Sequence, residues 1–249
     1  MRFSQENSEH IFFERLDSTN DYLQKIIRDK NLSEGTVVWT NFQTHGKGHD
    51  KNTWESDEGK NLLMSILLKP NSFDATNQFQ ISRVISLALV DLVKKYCKSV
   101  TIKWPNDILV GKRKIAGILI ENTILNNKIS ESIAGIGLNI NQVNFPVYIP
   151  NPTSLKIEAG CQFDILNLLN DLIHHIENWY TRLLNMETQK LEKAYEDVLF
   201  GFNEILEFEE TDRTFSAKIV GVGSGGQLKL EMPGGEIRKY GFKEVMYKL

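Results

Sequence analysis

Several things are scarce in this chain of 249 residues, and each scarcity excludes a class of protein. Cysteine occurs twice, at Cys97 and Cys161. One pair cannot form a disulfide framework, and no Cys/His spacing has the form of a zinc site. The expectation is a reduced, cytoplasmic protein with two structural thiols. Long apolar runs are missing too. The stretch from Ile115 to Ile120 is far too short to span a bilayer, and Met1-Arg2-Phe3-Ser4-Gln5 has no apolar stretch of signal-peptide length. No membrane partner is expected. Net charge is −3, so no global field draws the chain to nucleic acid. What remains is ordinary for a globular protein: 41% hydrophobic and 24% charged residues, enough for one large domain or one domain plus a small one.

Taken in order, Ile11 to Leu16 reads as a short strand, followed by Asp17-Ser18-Thr19-Asn20 and then Tyr22, Leu23, Ile26 and Ile27 at helical spacing. Ser18 or Thr19 serves as the helix N-cap, or these hydroxyls and the Asn20 amide bind a small polar ligand at a helix start; both can hold. Thr36 to Thr40 is strand-like. Asn61 to Leu68 is an almost continuous apolar strand, of the kind covered on both faces. Phe79 to Val93 repeats at helical spacing as a core helix. Val100 to Lys103 is a strand that runs into Trp104-Pro105; Ile108 to Val110 and Lys114 to Thr123 form a hairpin, and Ile129 to Ile140 returns. Gly135 and Gly137 inside that last strand mark a bulge or a close ligand. Residues 145 to 152 hold three of the six prolines and little pattern. Ile165 to Leu184 is a long amphipathic helix, which the segment from Leu191 to Phe200 extends or follows. His174 and His175 lie on it without acidic or cysteine partners, as surface residues rather than metal ligands. From Gly201 onward, short strands and Gly-rich turns suggest a small barrel.

Two stretches carry chemistry. Gln43-Thr44-His45-Gly46-Lys47-Gly48-His49-Asp50-Lys51-Asn52-Thr53-Trp54 follows a strand and reads as a mobile loop. Its glycines permit φ > 0 and close backbone approach, Lys47, His49 and Lys51 bring positive charge, and Trp54 offers a flat face to a ring. Such a loop suits a nucleotide phosphate, although on composition alone it is also an ordinary solvated turn. The second stretch is Lys103-Trp104-Pro105-Asn106-Asp107, in which a lone Lys103 would read as a solvated strand-end lysine.

In their order and spacing, Ser18-Thr19-Asn20, Gln43 with Gly46-Lys47-Gly48, Trp54-Glu55-Ser56, Gly59-Lys60-Asn61-Leu62, Lys103 to Asp107, Lys114 to Glu121 and Gly135 to Ile140 resemble the biotin–protein ligases, in particular biotin–[acetyl-CoA-carboxylase] ligase. The resemblance runs from about Phe12 to the C-terminus. It implies an α+β fold: a class II aminoacyl-tRNA synthetase-like mixed sheet with flanking helices, plus a small C-terminal SH3-like β-barrel, with a catalytic domain over 1–200 and the barrel over 201–249. It implies a reaction in which the biotin carboxylate attacks the α-phosphate of ATP, supplied with Mg²⁺, to give biotinyl-5′-AMP. A lysine of a biotin carboxyl carrier protein then takes the biotin. No prosthetic group is implied.

By the same resemblance Lys103 and Lys47 are catalytic. Ser18, Thr19, Asn20, Gln43, Lys47, Gly48, His49, Lys103 and Gly117 contact biotin, and Lys47, His49, Trp54, Lys103, Asn106 and Asn139 contact ATP or the adenylate. The ureido ring has two N–H donors and a carbonyl, which hydroxyl and amide side chains satisfy. Gly117 leaves bare backbone for biotin, Trp54 flanks the adenine, and Asp107 is a candidate Mg²⁺ ligand. The family commonly has Arg-Gly-Arg where this chain has Lys47-Gly48-His49; lysine lacks the planar fork of arginine, and histidine can be uncharged near neutrality. No DNA-reading motif precedes Phe12, as expected of a monofunctional ligase without a DNA partner; a homodimer is compatible with the sequence. A lipoate–protein ligase or octanoyltransferase is the runner-up, and a non-catalytic binding module is the reading from another class.

Overall fold

The computed structural model describes residues 9–49, 52–211 and 213–248. Seven strands form one mixed sheet: β1 (His10–Leu16), β2 (Val37–Gln43), β3 (Asn61–Leu68), β4 (Val100–Lys103), β5 (Asp107–Val110), β6 (Arg113–Leu125) and β7 (Lys128–Asn139). Their order is β1-β2-β3-β7-β6-β5-β4. β1 and β2 run parallel and are joined by α1 (Thr19–Asp29), since parallel neighbours need a crossover. The remaining neighbours are antiparallel.

β3 lies near the middle, and all eight of its residues are buried. Strand alternation divides them between two faces. Leu62, Met64, Ile66 and Leu68 join the larger core with α2 (Phe79–Lys94) and α4 (Ile165–Leu184), whereas Leu67 joins the smaller core under α1 with Leu23 and Ile26. Ser65 is the one polar residue of β3 between its ends, and it also faces α1, bonding to Thr19 and Asn20 there. This marks the α1 face as the functional one.

The segment after α4 is a separate helix, α5 (Thr188–Glu196), because Met186 turns to φ 59°, the left-handed conformation that ends helices. A short helix, α3 (Leu155–Ala159), capped by Ser154 and closed by Gly160, was not anticipated. Among the described residues no helix is long and apolar enough to cross a membrane.

The C-terminal strands β8 (Ile205–Glu210), β9 (Arg213–Val222), β10 (Leu228–Glu231), β11 (Ile237–Tyr240) and β12 (Met246–Tyr247) form an antiparallel sheet in the order β11-β10-β9-β8-β12. The sequence suggested a small barrel; the pairing is a five-stranded sheet whose outer strands β11 and β12 each pair on one side. It is sealed to the larger sheet by buried polar contacts. Trp104 Nε1 donates to the Gly226 carbonyl at 2.8 Å, and Arg83 Nη2 on α2 donates to the Val222 carbonyl at 2.8 Å. Phe208, Ile219 and Leu228 share the core of α2 and α4. Trp104→Phe keeps most of the ring but orphans the Gly226 carbonyl. It is expected to cost about 1–2 kcal/mol in a urea melt; an unchanged midpoint would show that water replaces the bond.

Candidate active site

Glycines make the floor of the site. In the register of the sheet Gly117 of β6 lies opposite Gly137 of β7, and Gly135 lies opposite Ser65 on one side and Leu119 on the other. No bulge occurs at these glycines; the irregularity in the β6–β7 pair is between Thr123 and Ile124. They are glycines because other side chains press on the backbone. A Cβ on Gly135 would stand 2.3 Å from Asn20 Oδ1, and one on Gly137 would stand 2.3 Å from the Trp54 ring.

The end wall is the first turn of α1. Ser18 caps it, accepting from Asp21 N at 3.4 Å. Gln43 Oε1 accepts from Thr19 N at 2.8 Å and from Thr19 Oγ1 at 3.0 Å. A backbone N–H can only donate, so this fixes the amide orientation and leaves Gln43 Nε2 to donate elsewhere. Ser65 Oγ lies 2.5 Å from Asn20 Oδ1 and 2.7 Å from Thr19 Oγ1, and its single proton serves one at a time. Asn20 Nδ2 donates to Glu121 Oε2 at 2.7 Å. Asn20 is thus committed to protein partners, while the Ser18 hydroxyl proton and Gln43 Nε2 remain for a ligand. Above this floor is a cavity of about 170 Å³ that these residues border.

The two arms of the loop expected to be mobile, residues 46–49 and 52–54, pair with each other and roof the cavity. Gly48 N donates to Asn52 O at 2.8 Å, Trp54 N donates to Gly46 O at 2.9 Å, and Lys47 bridges Thr53. Asp50 and Lys51, and with them the charge expected of Lys51, lie outside the described residues. Neither Gly46 nor Gly48 takes the positive φ that the sequence suggested. Gly46 is required sterically, because a Cβ there would come within 2.4 Å of the Trp54 carbonyl oxygen. Trp54 occupies the place expected for ligand: its ring covers Gly117 and Gly137 with Nε1 buried and unpartnered, so Gly117 presents no bare backbone here.

A second cavity of about 600 Å³ opens on the far side of Trp54, and Lys103, Lys112, Asn139 and Tyr247 border it. Trp54, Asp107 and Lys114 border both cavities. Lys114 Nζ is 2.6 Å from Asp107 Oδ1 and stacks 5.5 Å from the Trp54 ring centroid. Lys103 ends β4, the outer strand, so it reaches only the second cavity and lies over the Tyr247 ring at 5.3 Å. The sequence suggested Lys103 beside Ser18, Thr19 and Gln43; of the two lysines it is Lys114, on the more central β6, that borders their cavity. Asn106 borders the first cavity and clamps the turn to β6, its Nδ2 donating to Ile118 O at 3.0 Å. Asn139 is buried and donates to Thr153 O at 3.0 Å. His174 lies outside both cavities, 3.1 Å from Asn178 Nδ2.

Charge in the site is mostly paired. The Lys47 ammonium bonds to Asp21, which holds it above the ordinary lysine range by hydrogen bond and charge. Burial pushes the Lys103 ammonium down, against the pull of Asp107. His49 packs edge-on to Phe242 at 5.2 Å, and burial, with help from Lys243, lowers its pKa against Asp107. Burial thus works against the positive charge that the loop's composition suggested for His49. A lowered folded-state pKa favours the closed hairpin above the ordinary histidine value of about 6.5, and that preference fades as pH falls through the lowered value. Amide exchange at Gly48 and Trp54, corrected for its intrinsic pH dependence, should accelerate on acidification, and His49→Gln should flatten the trend. Equal slopes in the two proteins would remove His49 from the closure.

The sequence reading placed Ser18, Thr19, Asn20, Gln43, Lys47, Gly48, His49, Trp54, Asn106, Asp107 and Gly117 at the site, and all of them border the first cavity. It missed Ser65, hidden in an apolar run, and the roles of Lys114 and Glu121, which it quoted only as part of a motif. Tyr247 and Tyr148 were also missed. Tyr148 donates to Glu55, linking the 143–150 loop to the segment after the hairpin.

The model of the biotin/lipoate A/B protein ligase family matches residues 12–139, more than half of the chain. Over 227 residues the chain is 28% identical to the bifunctional ligase/repressor BirA of Bacillus subtilis, an alignment covering 90% of this chain and 70% of that protein. It is 33% identical over 177 residues to the biotin–[acetyl-CoA-carboxylase] ligase of Paracoccus denitrificans, covering 68% of this chain and 72% of that one. The biotin protein ligase from Aquifex aeolicus in complex with biotin and ATP has a similar fold, with a TM-score of 0.80 at 24% identity over 96% of this chain and 98% of that chain.

Proposed function

The chain belongs to the biotin/lipoate A/B protein ligase family, and on that premise we propose that it activates biotin with ATP as biotinyl-5′-AMP and transfers the biotin to a lysine of a biotin carboxyl carrier protein. One observation carries the proposal. Two cavities meet at a wall shared by Asn52, Thr53, Trp54, Asp107 and Lys114, so an acid in the first and a nucleotide in the second would face each other across the Lys114 ammonium.

The chemistry follows from that wall. The Ser18 hydroxyl and Gln43 Nε2 orient the ureido ring, with Thr19 and Asn20 fixing them. The carboxylate then points toward Lys114, which Asp107 positions. Two anions repel as the carboxylate oxygen approaches the α-phosphorus, and Lys114 offsets the charge that builds there, one of the larger catalytic contributions. Lys103, with Asn139 nearby, holds the nucleotide side. Lys47 and His49 belong to the roof, which keeps water from the mixed anhydride. Mg²⁺ arrives with ATP as substrate. Among the described residues no three His, Cys, Asp or Glu side chains gather to hold a metal, and Asp107 is engaged by Lys114, so phosphate and water would supply most of the ion's ligands.

The finer reading is a cytoplasmic biotin–[acetyl-CoA-carboxylase] ligase, with a catalytic unit over 1–200 and an SH3-like unit over 201–249. The test is pyrophosphate exchange into ATP with biotin, lipoate or octanoate as the acid, followed by addition of an apo biotin carrier domain. Biotin alone should drive exchange, and the carrier should gain one biotin mass. Exchange driven by lipoate would move the assignment to the runner-up.

A further inference from the structure

An enzyme that makes an acyl-adenylate for an outside lysine must protect it from its own lysines. Where the related pattern has arginine in the hairpin, this chain has Lys47, an amine that can be acylated. Lys47 borders the first cavity on one side of the hairpin and an open groove of about 780 Å³ on the other. Its side chain therefore lies at the boundary of the cavity in which the adenylate would form. In the structure its ammonium is bonded to Asp21, in the first turn of the helix whose start walls that cavity.

Resting on the ligase reading above, we propose that Lys47 is a latent acceptor for the protein's own acyl-adenylate, and that Asp21 suppresses this self-acylation. Asp21 acts twice. It ties the ammonium to the first turn of α1, and by hydrogen bond and charge, with Glu121 acting in the same direction, it keeps the nitrogen protonated, hence without a free lone pair. The step it blocks is balanced. The ammonium gives a proton to solvent, and the Nζ lone pair attacks the acyl carbon of biotinyl-5′-AMP. A C–N bond forms, the bond from that carbon to the phosphate oxygen breaks, AMP leaves, and the second proton on nitrogen goes to water. The product is a biotinyl amide on Lys47.

Removing the Asp21 carboxylate removes both its hydrogen bond and its charge from Lys47, which frees the amine to move and to lose its proton. The full-length protein should be challenged at pH 8 with synthetic biotinyl-5′-AMP and acylation mapped by peptide mass spectrometry. Asp21→Asn should raise modification of Lys47 about tenfold or more over wild type. Asp21→Glu should restore protection, and Lys47→Arg in the Asp21→Asn background should abolish the gain. Asp21→Ser, small and neutral at a helix start, should behave like Asp21→Asn and replaces it if that variant folds poorly. Lys47 acylation within twofold of wild type in the neutral variants, or a rise shared by the exposed Lys98, would overturn the proposal. Because the adenylate is supplied ready-made, the result does not depend on adenylation. Absence of biotin-dependent pyrophosphate exchange in the wild type would instead count against the ligase reading itself.

Discussion

Lys114→Ala is expected to lower biotin-dependent pyrophosphate exchange by about a hundredfold or more, because among the described residues it removes the one cation that borders both cavities. Losing a preorganised contact to developing charge typically costs on the order of 3 kcal/mol. The backbone of this residue also holds the fold. Lys114 N donates to Asn151 O at 2.7 Å, and Lys114 O accepts from Thr153 N at 2.8 Å, tying the wall of the second cavity to β6. Alanine keeps both bonds but leaves Asp107 without its ammonium, so the protein should stay folded with a modestly lowered thermal midpoint while the rate collapses. Lys114→Arg should recover part of the rate, since the charge returns with a different shape. Lys103→Ala is the necessary contrast. From the nucleotide side it should chiefly raise KM for ATP and leave more of kcat. The opposite pattern, with Lys103→Ala losing the chemical step and Lys114→Ala nearly normal, would return the central role to the lysine that the sequence motif alone suggests.

That contrast shows where sequence reading stops. Lys103 and Lys114 both stand in recognisable stretches, and nothing along the chain says which is nearer the centre. The order β7-β6-β5-β4 decides it, by leaving Lys103 at the outer strand. Periodicity made the long elements legible: β3 as an unbroken apolar run, and α2 and α4 by their helical repeat. It could not reveal β12, two residues long, or α3, five residues long, since neither completes a pattern. The site residues on α1 and the hairpin were legible because Ser, Thr, Gln and Gly are chemically conspicuous. Ser65 was not, although one hydroxyl in an apolar strand was the signal available. The glycines were recognised as places of close approach, but the approaching groups are the chain's own Asn20 and Trp54. A missing side chain tells that something is near, and only the fold tells what.

Gly135→Ala should raise KM for biotin by on the order of a hundredfold, with stability falling about 2 kcal/mol, because the added methyl has nowhere to go. Its carbon would meet Asn20 at 2.3 Å from Oδ1 and 2.9 Å from Cγ. Overpacking of a tight site usually costs about 1–3 kcal/mol. Asn20 cannot yield alone, since Ser65 and Glu121 hold its two ends at 2.5 and 2.7 Å. Displacing it drags the first turn of α1, and with it the Ser18 hydroxyl and the Thr19–Gln43 bond that orients Gln43 Nε2. The binding defect should therefore exceed what the stability loss explains at assay temperature, where the protein remains folded. Gly234→Ala is the control, since its Cβ would meet nothing within 4 Å and it should change neither quantity. Steady-state kinetics with varied biotin and a thermal melt on the three proteins separate the outcomes. A Gly135→Ala protein that is less stable yet binds biotin normally would show that the start of α1 supports the sheet and does not hold the acid.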